Sequence, residues 1–369
     1  MSTIFSRANK SLISRWWWTI DKRLLVAVLV LIGAGIMMVS AASPAVASRI
    51  GLNEYHFILR HLFYLVPSLG FMFGLSLVSH ENIRRFGVVV FFCAIAGICL
   101  TLIGGYEIKG AQRWIRVLGF SVQPSEFLKP GFIILAAWLM AMQKQKEDFQ
   151  GNAIAAGFYV LCVILLVMQP DMGMTILLSM IWAAQIFLAG FPFIFIIMAM
   201  GLGVVGLTAA YFLLPHFQSR VNRFINPESG DTFQIDRALE AFEKGGLVGV
   251  GPGEGSVKLT IPDAHADFVF AVAGEEMGFV FVLLLIALYA YILWRGIRSL
   301  IRTEDMFTVL AIGGLLAMIG LQALIHMGAN VHLLPTKGMT LPFVSYGGSS
   351  VIALGITMGM LLGLTRKQT

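Results

Sequence analysis

The stretch LLVAVLVLIGAGIMMVSAAS, residues 24–43, holds twenty consecutive residues with no charge and only two serines. As a helix it rises about 30 Å, the thickness of a bilayer's hydrocarbon core. Lys22 and Arg23 precede it, and Trp16, Trp17 and Trp18 stand just before them, where aromatic side chains anchor at the headgroup level. Pro44 and Arg49 come only after a full span, so no small-residue cleavage site lies at the right distance and the block reads as an uncleaved anchor. Similar blocks recur near 58–78, 86–104, 127–142, 152–168, 172–189, 193–214, 268–293, 306–330 and 345–364. The expected fold is therefore an all-α polytopic integral membrane protein of about ten transmembrane helices with one large extracytoplasmic loop. The expected organisation is an inner segment at 1–23, one membrane domain at 24–365 with its outer loop at 215–266, and an inner tail at 366–369.

Composition excludes the common alternatives. Of 369 residues, 58% are hydrophobic and 12% charged, about half the charge of a soluble domain, and the mean hydropathy is +0.83. The net charge of +6 would point to nucleic acid in a soluble chain, but its distribution argues for a membrane and against nucleic acid. With the N-terminus inside, Arg84, Arg85, Lys144, Lys146, Arg295, Arg298, Arg302, Arg366 and Lys367 fall in short inner segments, as the bias of inner loops towards Lys and Arg requires. The outer side is also basic, with Arg49, Arg60, Lys109, Arg113, Arg116, Lys129, Arg220, Arg223, Arg237, Lys244, Lys258 and Lys337. An outer face this basic points to an anionic ligand. Cys93, Cys99 and Cys162 all fall within expected spans, which leaves no outer disulfide framework and no cysteine-rich metal site.

Three segments break the apolar background, and this topology puts all three outside. GGYEIKGAQRWIRVLGFSVQPSEFLK, 104–129, is too polar to span and reads as a re-entrant or interfacial loop. Within it Trp114 between Arg113 and Arg116 is an interface anchor or a ligand contact. Ser125 is a candidate N-cap, and Glu126 and Lys129, one turn apart, form a local ion pair or part of a polar site. In the long loop, Asp231 and Gln234 have capping-box spacing ahead of an amphipathic interface helix that Gly245 ends. The following GLVGVGPGEGSVK lacks phosphate-loop spacing and reads first as a flexible loop, with a phosphate cradle as the alternative.

IPDAHADFVFAVAGEEMG, 261–278, then enters the eighth span. Asp263 reads as a helix cap, and His265 as a ligand contact or, less readily, a metal partner of the two aspartates. Asp267 at the membrane boundary reads as a general base, because partial desolvation raises a carboxyl's pKa. Finally, Pro335, Gly338, Pro342, Gly347 and Gly348 forbid a regular helix between the last two spans, so that backbone lines a cavity or is buried, with Lys337 as a ligand contact or a snorkelling cation.

GAQRWI, FSVQPSEFLK, PDAHADFVFAVAGEE and PTKGMTLPFVSYGGSS together resemble the signatures of the SEDS family (shape, elongation, division and sporulation) over nearly the whole chain. PTKGMTLP and WWWTIDK resemble the division, FtsW-like, branch more than the elongation, RodA-like, branch. The resemblance implies a ten-helix glycosyltransferase of the bacterial cytoplasmic membrane that polymerises lipid II at the outer leaflet during division. It also implies a class B penicillin-binding protein, a transpeptidase, as partner alongside other division proteins. Asp267 matches the family's essential acid, although Ala266 stands where the family's triplet has threonine. Trp114, Glu126, Lys129 and Lys337 match cavity positions, and Ser345 matches the serine of SYGGSS. In this reading Lys129, Lys337 or Arg113 stabilises the pyrophosphate leaving group. A divalent cation, Mg or Mn, can share that task through one or two carboxylates; no other cofactor is implied. The rival readings are a lipid-linked substrate flippase and a non-catalytic scaffold.

Overall fold

The computed structural model describes residues 11–108, 111–117, 119–146, 148–213, 218–219, 221–222, 233–335 and 338–366. A short helix α1 (Leu12–Thr19) precedes α2 (Lys22–Arg49), α3 (His56–Leu77) and α4 (His80–Gly104). Strands β1 (Tyr106–Ile108), β2 (Ala111–Val117) and β3 (Phe120–Val122) follow, then α5 (Pro124–Gln145), α6 (Gly151–Met168), α7 (Met172–Leu188) and α8 (Phe193–Leu213). The chain ends with α9 (Phe233–Gly245), α10 (Val269–Leu300), α11 (Met306–Asn330) and α12 (Gly348–Leu364).

Each of the ten expected spans falls on a helix, α2 to α8 and α10 to α12. Among the described residues seven are long and apolar enough to cross a bilayer, whereas α7, the described part of α8 and α12 are shorter. α5 and α11 are central, with 83% and 78% of their apolar windows buried, whereas α6, at 28%, turns most of its surface outward. α12 is buried along nearly its whole length because Gly355, Gly359 and Gly363 form one small-residue face. A Cβ at Gly355 would lie 2.3 Å from the Ser68 carbonyl oxygen, and one at Gly359 would lie 2.7 Å from that of Phe71. Lipid offers no hydrophobic drive to bring helices together, so such small faces, which let backbones touch, hold α12 on α3.

Four local expectations need correction. The 104–129 segment is not wholly loop: strands β1, β2 and β3 pair as an antiparallel meander in the order β1-β2-β3, and α5 begins at Pro124. α5 starts at Pro124 with Gln123 at the cap position, so Ser125 lies inside the helix and accepts from Gln123 Nε2. α10 starts at Val269 with Phe268 at its cap position, so Asp263 lies too far upstream to cap it. In the interface helix α9, Ala238, Ala241 and half-buried Phe242 face inward and Phe242 meets Phe270 edge-to-face at 5.7 Å, whereas Phe233 and Leu239 are exposed. The helix is thus docked on the start of α10 rather than only laid on a surface. The capping pair's Asp231 lies outside the described residues.

α1 carries the three tryptophans, and they divide between two roles. Trp16 donates through Nε1 to Ser76 Oγ at 2.8 Å and so ties α1 to the end of α3. Trp17 and Trp18 lie under the Lys22 ammonium, at 4.4 and 4.7 Å.

Candidate functional site

Asp267 sits half-exposed in the turn that leads into α10. Its amide donates to the Asp263 carbonyl at 3.0 Å, and its own carbonyl accepts from Asn330 Nδ2 at 2.9 Å. Asn330, the last residue of α11, also accepts from the Ala271 amide at 3.2 Å and donates to the His326 carbonyl. One buried amide therefore clamps the acid's backbone to two helices. The carboxylate lies against Gly338, 3.5 Å from where a Cβ there would stand, and Gly338 has a φ of +58° that favours glycine. Lys337 lies outside the described residues.

A polar ribbon runs from Gly338 into the helix bundle. The Met339 carbonyl contacts His326 Nδ1 at 2.6 Å, and Thr340 accepts from Gln322 Nε2 through its carbonyl at 3.0 Å. Gln322 Oε1 in turn accepts from the Lys129 ammonium at 3.0 Å, which also pairs with Glu126 at 2.8 Å. Lys129 is 1% exposed. The Glu126–Lys129 spacing therefore makes a local ion pair, and Gln322 links that pair to the loop that carries Gly338. On β2, Arg113 donates from Nε to the Gln169 carbonyl at 3.1 Å, reaches the Pro170 carbonyl, and lies 3.6 Å from Asp171. Burial raises the Asp171 pKa, and the Arg113 charge opposes that shift. Trp114, its neighbour on β2, is half-buried.

The remaining expected site residues, His265 and Ser345, make contacts within the chain. The His265 ring packs against Phe57 at 4.1 Å and Tyr346 at 5.0 Å, and its Nδ1 is buried without a hydrogen-bond partner among the described residues. Burial pulls its pKa down to about 4, so near neutral pH the ring is uncharged and packs between its two aromatic neighbours. Its carbonyl accepts from the Tyr346 amide at 2.9 Å, which joins the Asp267 loop to the loop before α12. Ser345 is buried, and its Oγ accepts from the Leu341 amide at 2.8 Å, so the hydroxyl fixes the 341–345 turn. Among the described residues no three His, Cys, Asp or Glu side chains converge on a metal-sized site.

The glycine-rich stretch is a cradle after all, and the anions it holds are the chain's own. Glu275, fully buried, accepts from the amides of Ser256, Val257 and Lys258 at 2.7, 2.7 and 2.9 Å. Glu276 accepts from the Gly253 amide at 3.0 Å and pairs with the Lys258 ammonium. Helix α10 breaks at Gly278, where φ is +79° and ψ 179°. The loop repairs the break: Val250 and Gly251 donate to the carbonyls of Glu275 and Glu276, while Phe279 and Val280 donate to those of Gly246 and Leu247. Asn330, Gln322 and this double-glutamate cradle escape a reading of the sequence because their partners lie far away in the chain. The consecutive carboxylates two turns inside an apolar helix were the only visible signal.

The sequence profile FTSW_RODA_SPOVE, described as cell cycle protein, matches residues 22–369. The chain belongs to this family. A Caulobacter vibrioides relative named "Probable peptidoglycan glycosyltransferase FtsW" is 42% identical over 365 residues, 99% of this chain and 94% of that one. A Trichlorobacter lovleyi relative of the same name is 35% identical over 94% of this chain and 93% of its own length. These names support the division branch over the elongation branch. Among solved structures, one from work on structural coordination of polymerization and crosslinking by a peptidoglycan synthase complex superposes with a TM-score of 0.79 at 25% identity, covering 95% of this chain and 98% of that one. The Thermus thermophilus rod shape determining protein RodA superposes with a TM-score of 0.70 at 25% identity, covering 96% and 99%. The helical membrane-protein fold of these relatives is thus the fold found here.

Proposed function

We propose that this chain is a peptidoglycan glycosyltransferase that joins lipid II units into glycan strands at the outer face of the bacterial cytoplasmic membrane during division, with Asp267 as general base. The observation that carries the reading is the placement of Asp267: a half-exposed carboxylate whose backbone is clamped by Asn330 and whose side chain abuts Gly338. Rigid support of this kind holds a base in reach of its proton.

In the reaction the acceptor sugar hydroxyl gives its proton to Asp267, and its oxygen forms the new bond to the donor's anomeric carbon. The bond from that carbon to the pyrophosphate breaks, and undecaprenyl pyrophosphate leaves with the electron pair. The leaving group needs no proton, so a single carboxylate suffices. Developing negative charge calls for cations. Lys129 and Arg113 are engaged by internal partners and serve to hold the ribbon and the β-meander in place. Arg60, exposed and hydrogen-bonded to the Tyr346 side chain, joins Lys337 as a cation for the pyrophosphate. A divalent ion carried in on the pyrophosphate would supply further charge neutralisation. The partner is a transpeptidase, proposed to be a class B penicillin-binding protein, which crosslinks the strands made here.

Purified full-length protein given labelled lipid II in detergent tests the reading. A polymerase makes glycan chains there, whereas a flippase or a scaffold makes none. Asp267→Asn should abolish chain formation while insertion and thermal stability stay near normal. Retention of a tenth or more of the turnover, a loss of only about 1.4 kcal/mol of transition-state stabilisation, would overturn the general-base role.

A further inference from the structure

The end of the bundle opposite Asp267 holds a second charged site. α10 and α11 run from the Asp267 turn to Leu300 and Met306, α12 runs from the Tyr346 loop to Leu364, and α2 begins at Lys22 while its far end reaches the Leu259 carbonyl through Arg49. Between those distal ends lies a cavity of about 770 Å³ lined by Lys22, Arg23, Arg295, Arg298, Arg302 and Arg366. Its acidic lining is Asp21, Glu304 and Asp305, so six cations face three anions and the net lining charge is +3.

The anions are largely spent. Asp21 caps α2 by accepting from the Arg23 and Leu24 amides, both at 3.1 Å, and pairs with Arg295. Asp305 caps α11 by accepting from the Thr308 amide at 2.9 Å and from its hydroxyl. Arg366 is fixed across the ends of helices by donating to the Ser76 and Leu77 carbonyls. Arg298 lies over Trp294 at 5.0 Å, and neither it, Arg302 nor Arg23 forms an ion pair among the described residues. Arg295 Nε is buried there with no hydrogen-bond partner among the described residues. An open cavity that concentrates guanidinium groups and leaves their donors unmet is built for an anion, and planar guanidinium forks suit phosphate oxygens.

We propose that this cavity binds a phosphate group, and that in the membrane the phosphate is the headgroup of an anionic phospholipid of the inner leaflet. The surroundings favour the lipid source over a free phosphate. Trp294, Ile297 and Ile301, which are 49%, 48% and 75% exposed, project from the same end of α10, and the tryptophans of α1 flank Lys22. A headgroup seated among the arginines therefore has apolar surface beside it for its acyl chains. The lipid source rests on assigning this end to the inner side; the phosphate site itself does not.

The test is binding to the full-length protein, delipidated in detergent and observed by native mass spectrometry, with phosphatidylglycerol, phosphatidylcholine of the same acyl chains, and inorganic phosphate as probes. Phosphatidylglycerol should be retained about tenfold better than phosphatidylcholine, a preference that Arg298→Gln with Arg302→Gln removes and Arg298→Lys with Arg302→Lys largely keeps. Arg85→Gln, at the same end but outside this cavity, should change nothing. If inorganic phosphate binds with the same dependence on the arginines and the lipids show no preference, the phosphate site stands and its source is soluble. Equal retention of the two lipids with no phosphate binding, or an equal loss in Arg85→Gln, overturns the proposal. Binding needs no turnover, so lipid II polymerisation measured in parallel separates failure here from failure of the polymerase assignment.

Discussion

Glu275→Gln changes one atom and no volume, yet the structure makes it costly. The two carboxylate oxygens accept three amides of the 256–258 loop, two on Oε1 and one on Oε2, in a fully buried site. A glutamine keeps only one acceptor oxygen, so at least one of these amides must face an NH₂ group. A buried donor left unmet costs about 1–3 kcal/mol, and each of the two surviving bonds loses roughly 1 kcal/mol when its acceptor loses its charge. The local cost is about 3–5 kcal/mol, which should raise the opening equilibrium of the loop on the order of 100- to 5,000-fold. Hydrogen exchange of peptides spanning 252–260, followed by mass spectrometry on the protein in lipid nanodiscs, measures that opening. Peptides from α5 and α11 should exchange as before, and polymerisation should fall because the same loop leads into Asp267. Asp267→Asn provides the contrast: it should stop polymerisation and leave exchange at 252–260 unchanged. Exchange in Glu275→Gln within about threefold of the wild type, a difference of under 1 kcal/mol, would refute the cradle as the element that fixes the loop.

Gly278→Ala should lower the yield of folded protein sharply, because its φ and ψ belong to a region essentially reserved for glycine and an added Cβ would stand 2.3 Å from the Gly249 amide nitrogen; size-exclusion profiles after mild heating would show it. His265 sets an acid limb: its folded pKa of about 4 lies below the unfolded value near 6.5, so the unfolded state binds the extra proton and stability is complete above about pH 6.5 and falls as pH drops towards 4. Thermal unfolding from pH 7 to 4.5 should therefore decline more steeply for the wild type than for His265→Phe, and parallel curves would deny the histidine that role. For sidedness, a cysteine at Val248, in a variant lacking Cys93, Cys99 and Cys162, should react with an impermeant maleimide in intact spheroplasts, and one at Gln145 only after lysis. The reverse pattern would refute the outer-leaflet placement of Asp267.

The sequence by itself determined the solvent and where the apolar helices lie, because a bilayer enforces long uncharged blocks that no distant contact is needed to recognise. It also singled out Asp267, since an acid between a basic loop and an apolar helix is anomalous on local grounds alone, and it paired Glu126 with Lys129 through helical spacing. What Lys129, Arg113, His265 and Ser345 do was decided only in three dimensions. Their partners are Gln322, Gln169, Phe57 with Tyr346, and Leu341, and most lie tens to hundreds of residues away along the chain. A cation's charge is visible in a sequence, but whether that charge is free for a ligand depends on what neutralises it. The glycine run shows the same division. Its composition read first as a flexible loop and only second as an anion cradle, and only the fold of α10 back onto it revealed a cradle whose anions are Glu275 and Glu276.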